Sequence, residues 1–204
     1  MVTLPYRRPY RNVLQLRIVL RGTNPPVWRR IQIPESYTFY DLHVAIQNAM
    51  GWTDSHLHMF EVAGRPGKKA RLRIYCPFME PDLDEGRLLL TTELSVKDHL
   101  AKKNDKAVYE YDFGDGWVHE VVVEEVKPRA SRVRYPLCLD GEGACPPEDC
   151  GGVHGYYECI RAFENRDNSE GLLTWLGRWR PDRFDPKSVV FESPRKRLEE
   201  SLGD

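Results

Sequence analysis

Apolar and polar residues alternate along the first part of the chain, which is typical of β-strands that bury one face. Every second residue from 14 to 20 is leucine or isoleucine, within a stretch that extends over residues 12–21. The alternation returns over residues 27–33, after a break that contains Pro25 and Pro26. These two stretches predict an antiparallel hairpin joined by a loop.

The period then changes to that of a helix over residues 40–50. Thr38 and Asp41 have the spacing of a capping box, in which each side chain accepts a backbone N–H of the first turn. Gly51 stands where a C-terminal cap belongs. The residues that share the apolar face are Leu42, Ala45, Ile46, Ala49 and Met50.

The next segment predicts two strands, at residues 55–62 and 71–76, joined by a glycine- and proline-containing turn at 64–67. An acidic loop follows at 77–86, and a short helix begins at Ser95.

The strongest hairpin signal lies at residues 107–113 and 117–126. The two strands are joined by Gly114-Asp115-Gly116, residues that tolerate the positive φ angles of tight turns. In the second strand, alternation places four side chains on one face: Trp117, His119, Val121 and Val123.

The last third of the chain predicts one more strand at residues 133–139, a loop at 140–154 and then helices. Ser193, followed by Pro194, is a good N-terminal cap for a final helix with Leu198 and Leu202 facing inward.

Together the elements predict an α+β fold, a single compact domain with a mainly antiparallel sheet and helices packed on one face. We expect residues 1–11 to form a flexible basic N-terminus and residues 12–204 to form the domain.

The charges nearly cancel, with 30 Lys and Arg against 31 Asp and Glu, but seven arginines and no acidic residue fall in residues 1–34. This basic stretch could bind a nucleic acid or protein partner, or it could be the solvated face of the sheet. The chain has no apolar run of about 18 residues and no secretory signal at its start. We therefore expect a cytoplasmic protein that does not contact membranes.

Three segments carry a family resemblance: residues 52–60, which include His58-Met59-Phe60; residues 109–119, with the sequence YEYDFGDGWVH; and residues 145–156, which begin CPPEDCGG. With the opening strand pair and a late Phe-Asp-Pro, they resemble the Ri-plasmid ORF-three-like family over about residues 10–190.

The resemblance implies a compact α+β fold and an association with plasmids and mobile genetic elements. Members of the family are also labelled passenger proteins of a transposable element, and some are labelled resolvase-like. A serine recombinase requires an activated serine among arginines and a separate DNA-reading helical module, and the sequence shows no such pair of elements. The resemblance implies no particular reaction.

Cysteines cluster in the second half of the chain. Four of them and one histidine lie within 22 residues. Thiolate and imidazole are the ligands that zinc prefers. Alternatively, this loop is simply rigid, because Pro146 and Pro147 fix φ twice, and Glu148 and Asp149 could cap the following helix. The clustered residues are Cys138, Cys145, Cys150, His154 and Cys159.

Histidines form the second candidate group. His56 and His58 share one face of the predicted strand, and His119 lies on the face that carries Trp117. Asp112 and Asp115 flank the adjoining turn. Alternatively, these aspartates only stabilise the turn, because an aspartate side chain can accept the backbone N–H two residues further along. If the two strands are sheet neighbours, His58 and His119 could converge.

The cysteine loop could then fold over the histidines. This would give a zinc site from His58, His119, Cys145 and Cys150, or a cysteine nucleophile activated by a histidine. The full candidate site is His56, His58, Asp112, Asp115, Trp117, His119, Cys145, Glu148, Asp149 and Cys150.

Two functions are consistent with the sequence, and a third interpretation is that the motifs only stabilise the fold. The first is an accessory protein that binds a protein or nucleic acid partner through the arginine-rich N-terminal strands. The second is a small metal- or cysteine-dependent hydrolase that uses the His/Cys site.

Overall fold

In the computed structural model, which describes residues 9–64, 71–79, 88–169 and 171–203, seven strands form one antiparallel sheet. The strands are β1 (Asn12–Leu20), β2 (Trp28–Pro34), β3 (His58–Val62), β4 (Leu72–Tyr75), β5 (Lys106–Tyr111), β6 (Trp117–Pro128) and β7 (Leu137–Glu142). Their order across the sheet is β4-β3-β5-β6-β1-β2-β7. The helices are α1 (Phe39–Met50), α2 (Gly152–Asn165), α3 (Leu172–Leu176) and α4 (Pro194–Gly203), with 3₁₀ turns at Val96–Asp98 and Pro186–Ser188.

One face of the sheet is buried. In the central strands, Leu16 lies opposite Ile31 on one side and Val123 on the other, and Phe60 lies opposite Tyr109. All of these side chains are fully buried. Because successive side chains of a strand point to opposite faces, the alternating apolar residues form a continuous apolar layer beneath the helices.

Helix α1 lies across this layer. Thr38 and Asp41 form the predicted capping box, and Gly51 ends the helix in the left-handed region with φ of 99°. Eleven of its twelve residues are buried, because α4 covers the side of α1 away from the sheet. Leu198 of α4 packs there against Tyr40 and Val44. The predicted α+β fold of one compact domain is confirmed.

The opposite face of the sheet carries charge in pairs. Arg30 lies 2.6 Å from Glu124 and 3.1 Å from Asp140. Arg21 lies 3.9 Å from Glu120. Carboxylates thus accompany Arg21 and Arg30, so these two arginines add less net positive charge to this face than the sequence of residues 1–34 suggests.

Arg29 is the exception to that pattern, because it lies on the buried face. Its guanidinium donates to the backbone oxygens of Ala49 and Glu142, and it stacks on Phe184 with 3.6 Å between the guanidinium carbon and the ring centre. A charge that is 99% buried is stable only with such partners.

Some predicted boundaries differ from the structure. The last strand begins at Leu137 rather than at residue 133, directly after Pro136, which has no N–H for a ladder. The loop predicted at 140–154 is shortened by β7 and by the early start of α2. Leu202, expected to face inward, is 47% exposed because α4 buries only Leu198.

Parts of three predictions lie outside the described residues: most of the basic N-terminus, most of the turn at 64–67 and most of the acidic loop at 77–86. Among the residues that are described, no helix is long and apolar enough to cross a membrane.

The buried position of Ile46 predicts a large effect of charge. Ile46→Asp should lower the free energy of unfolding by about 4 kcal/mol or more, because an unpaired carboxylate would replace an apolar side chain. Ile46→Val, the matched control, should cost about 1 kcal/mol. Denaturant unfolding measures both; an Ile46→Asp variant as stable as Ile46→Val would contradict the packing of α1.

Candidate functional site

Three connections meet at one end of the sheet: the α1–β3 connection, the β5–β6 turn and the β7–α2 loop. Each supplies one metal-ligating side chain, namely His56, Asp112 and Asp149. The His56 Nε2 atom lies 2.9 Å from Asp149 Oδ1 and 3.6 Å from Asp112 Oδ2. One ligand atom from each residue lies within 4.8 Å of the other two.

The orientation of these groups is unusual for simple ion pairs. Although His56 Nε2 is close to both carboxylates, it makes no hydrogen bond to any described residue. Asp112 uses Oδ1 to accept the backbone N–H groups of Gly114 and Asp115, which leaves Oδ2 facing His56. Both aspartates have φ near +55°, a region that aspartate enters more readily than most residues.

Glu148 fixes the β7–α2 loop. Its carboxylate accepts the Thr53 backbone N–H at 2.7 Å, the Thr53 hydroxyl at 3.0 Å and the Tyr111 hydroxyl at 3.1 Å. Asp115 completes the attachment by accepting the Gly151 N–H at 3.1 Å. Glu148 and Asp149 do not cap α2, whose first turn has no side-chain cap, because both carboxylates are directed to other partners.

Further contacts place the loop against the core. Trp52 donates through Nε1 to the carbonyl of Pro146, and Trp179 donates to that of Cys145. Gly155 permits the closest approach, since a Cβ at this position would stand 1.6 Å from the Cys150 carbonyl oxygen. The residue must therefore be glycine for α2 to pack on its own entry loop.

A second polar cluster lies beneath the first. The rings of His43 and His58 stack with centres 3.5 Å apart and planes 11° from parallel. His43 Nδ1 lies 2.8 Å from the Tyr109 hydroxyl, and His43 Nε2 lies 2.7 Å from Asp54 Oδ1. These three groups, His43, Asp54 and His58, also have ligand atoms within 4.8 Å of one another.

The hydrogen bonds of Gln47 indicate which atoms of this cluster carry protons. Its amide N–H donates to the Tyr109 hydroxyl, and its amide oxygen accepts the Asp54 backbone N–H. The Tyr109 hydroxyl therefore donates to His43 Nδ1, and His43 Nε2–H donates to Asp54. Both ring nitrogens of His43 therefore have hydrogen-bond partners within the protein.

His58 stacks on the outer side of this network, on the ring of His43, and it is 98% buried. Burial, followed by the adjacent His43, lowers the pKa of His58 well below its usual value, so the imidazole is neutral at pH 7. Its Nε2 has no hydrogen-bond partner among the described residues.

A cleft of about 350 Å³ joins the two clusters. Its wall consists of Tyr40, Asp54, Ser55, His56, Leu57, His58, Cys76, Phe78 and Ser201. A neighbouring cleft of about 480 Å³ shares Asp54 and Ser201 with it. Both His56 and His58 therefore border the first cleft, whereas Asp112 and Asp149 do not line it.

His119 does not converge with His58. Strand β5 lies between their strands, so Tyr109 stands between the two imidazoles, with its ring centre 6.2 Å from that of His58 and 5.3 Å from that of His119. His119 and Trp117 instead pack against Trp52 in the core. Burial lowers the pKa of His119 to about 3.

The cysteines of the predicted zinc site do not join either cluster as ligands. In the described part of the chain, neither group of close ligand atoms contains a cysteine, so His58, His119, Cys145 and Cys150 are not gathered into one set. Burial raises the pKa of Cys150 to about 12 and that of Cys145 well above its usual range. Both thiols are therefore protonated at pH 7, and neither is poised as a nucleophile.

Comparison with known proteins agrees with the motifs described above. Residues 12–188 match the family described as plasmid pRiA4b ORF-3-like protein. The chain belongs to this family. It is 34% identical over 195 residues to the uncharacterized protein y4hQ of Sinorhizobium fredii, an alignment that covers 93% of this chain and 92% of y4hQ.

A solved structure resembles this plasmid pRiA4b ORF-3-like protein closely. It is the crystal structure of MM3350 from Methanosarcina mazei Go1, described as a protein of unknown function, with a TM-score of 0.78 and 39% identity. The match covers 90% of this chain and all of MM3350. The comparisons thus identify the family and its fold. Any chemical activity of the protein has to be inferred from the geometry of the site itself.

The close approach at Gly155 predicts a test of the loop. Gly155→Ala should lower the free energy of unfolding by about 1–3 kcal/mol, because the added methyl group meets backbone rather than a movable side chain. Gly203→Ala, where a Cβ meets no atom within 4 Å, is the matched control and should change stability little. Thermal unfolding measures both. Equal stability of the two variants would contradict the loop position.

The lowered pKa of His119 predicts that the folded protein loses stability in acid. In the folded protein its pKa is about 3, whereas the unfolded chain has the ordinary value near 6.5, so below about pH 6.5 only the unfolded state gains a proton. Stability should therefore fall with pH, and His119 should contribute about 2 kcal/mol of loss between pH 7 and pH 5. In His119→Leu, urea unfolding should show that much less loss over this interval; an unchanged loss would refute the assignment.

Proposed function

We propose that this protein is a metal-dependent hydrolase whose divalent cation is held by His56, Asp112 and Asp149. The observation that carries the proposal is the spacing of the three ligand atoms. Atoms that each lie about 2.1 Å from one metal ion, at angles between about 90° and 120°, stand about 3.0–3.6 Å apart. His56 Nε2 stands 2.9 and 3.6 Å from the two carboxylate oxygens.

The orientation of His56 supports a cation between the carboxylates. Nε2 makes no hydrogen bond to the described residues, despite the 2.9 Å distance to Asp149. Its in-plane lone pair is then free for a metal ion placed between the carboxylates.

The number of ligands favours catalysis. Three protein ligands leave coordination positions for water and substrate, whereas structural zinc sites are closed by four. One nitrogen and two carboxylate oxygens suit Zn²⁺, Mn²⁺ or Fe²⁺. A cation held this way lowers the pKa of bound water and polarises a carbonyl or phosphoryl oxygen. The adjoining cleft gives a substrate access to that position.

The thiol alternative has less support. A cysteine-dependent hydrolase needs a thiolate beside a histidine, and burial keeps Cys145 and Cys150 protonated. The partner-binding hypothesis stays a prediction. Its arginines are in part buried or paired with carboxylates, so the hydrolase is the function that we favour.

Metal binding tests the proposal. Chelator-treated full-length protein should bind one Mn²⁺ in calorimetric titration, and Asp149→Asn should weaken that binding at least about tenfold through loss of one charged ligand. Asp140→Asn is the matched control, since Asp140 is also an exposed aspartate and lies outside the cluster.

Two results would contradict the proposal: no binding of Mn²⁺ or Zn²⁺ by the unaltered protein, or equal affinity in Asp149→Asn and Asp140→Asn. The second result would move the cation to another part of the molecule, such as the cluster of His43, Asp54 and His58.

A further inference from the structure

The cleft beside the proposed cation has an apolar rim. Leu57 and Phe78 line it, and they are 38% and 42% exposed. Only eight large hydrophobic side chains are exposed to this degree in the described part of the chain, and two of them border this one cleft. Exposed apolar side chains gathered at a cleft mark the place where an apolar group of a ligand is desolvated.

The described residues of the cleft wall offer few charged partners to a ligand. None of the described residues that line it is lysine or arginine, and Asp54 contributes a carboxylate. Arg197 approaches Asp54 to 3.8 Å, but it lines the neighbouring cleft and also binds Glu192. A phosphoester or a free carboxylate entering the cleft would thus find no lysine or arginine among the described residues of its wall to pair with.

Besides His56 Nε2, two buried polar atoms of the same wall have no hydrogen-bond partner among the described residues, the Tyr40 hydroxyl and His58 Nε2. His58 is held flat against His43 and presents Nε2 without a hydrogen bond to any described residue. A hydroxyl or ring N–H that lacks a partner can donate to an uncharged carbonyl or alkoxy oxygen of a ligand.

Resting on the proposed function, we propose that the substrate is an uncharged carboxylic ester whose apolar acyl chain packs on Leu57 and Phe78 while its ester group reaches the cation. In the reaction, the oxygen of a water molecule bonds to the carbonyl carbon and the bond from that carbon to the alcohol oxygen breaks. One proton of the water passes to the leaving oxygen. The products are a carboxylic acid and an alcohol, and nothing is oxidised or reduced.

Three chromogenic substrates test this: p-nitrophenyl acetate, p-nitrophenyl hexanoate and bis(p-nitrophenyl) phosphate, each with the Mn²⁺-loaded protein. We expect kcat/KM for the hexanoate to exceed that for the acetate about ten- to hundredfold, because the additional methylene groups leave water. The phosphodiester should be hydrolysed more slowly than either ester. Phe78→Ser and Leu57→Ser should remove most of the preference for the longer chain and leave Mn²⁺ affinity unchanged.

Trp175→Ser is the matched control, because Trp175 is 53% exposed and lies outside the cleft wall. It should keep the full preference. The inference is overturned if metal-loaded protein cleaves the phosphodiester faster than the esters, if it cleaves no ester, or if Phe78→Ser retains the preference for hexanoate. Failure of the proposed function is distinct, because it would show earlier as the absence of Mn²⁺ binding that depends on Asp149.

Discussion

The attachment of Glu148 to Thr53 and Tyr111 is the interaction on which the candidate site depends. Glu148 lies in the β7–α2 loop, Thr53 follows α1, and Tyr111 ends β5, so one carboxylate joins three elements that are far apart in sequence. Asp149 is the next residue along the chain. Its position beside His56 follows from where Glu148 is held, and the close packing of Gly155 leaves the loop no room to shift.

The candidate site also depends on the burial of one face of the sheet. Because α1 is covered by the sheet on one side and by α4 on the other, the polar side chains that it carries inward must be satisfied internally. His43, Gln47 and Tyr109 achieve this together with Asp54. The result is a hydrogen-bonded base beneath the cleft, on which the ring of His58 stacks.

Much of the fold could be predicted from local sequence. Alternation identified strands β1, β2, β5 and β6, and the Thr38–Asp41 capping box located α1 to within a residue. Boundaries near Pro136 and the exposure of Leu202 were less predictable, because they depend on which neighbours an element meets rather than on its own pattern.

The candidate site was predictable in part. His56, Asp112 and Asp149 were all among the residues singled out by the motifs, yet their meeting depends on strand order, which periodicity does not encode. The same missing information made His58 and His119 look convergent, whereas β5 separates them. His43, Gln47 and Asp54 were not identified. The available signal was two polar residues four apart, His43 and Gln47, in a helix that is otherwise apolar on its inward side.

The most direct measurement of the central claim is a crystal structure of the protein soaked in Mn²⁺, with anomalous scattering recorded to locate the ion. The account predicts one anomalous peak about 2.0–2.3 Å from His56 Nε2 and from one oxygen each of Asp112 and Asp149. A peak coordinated by other residues, or a soaked crystal in which these three side chains have no peak between them, would contradict it.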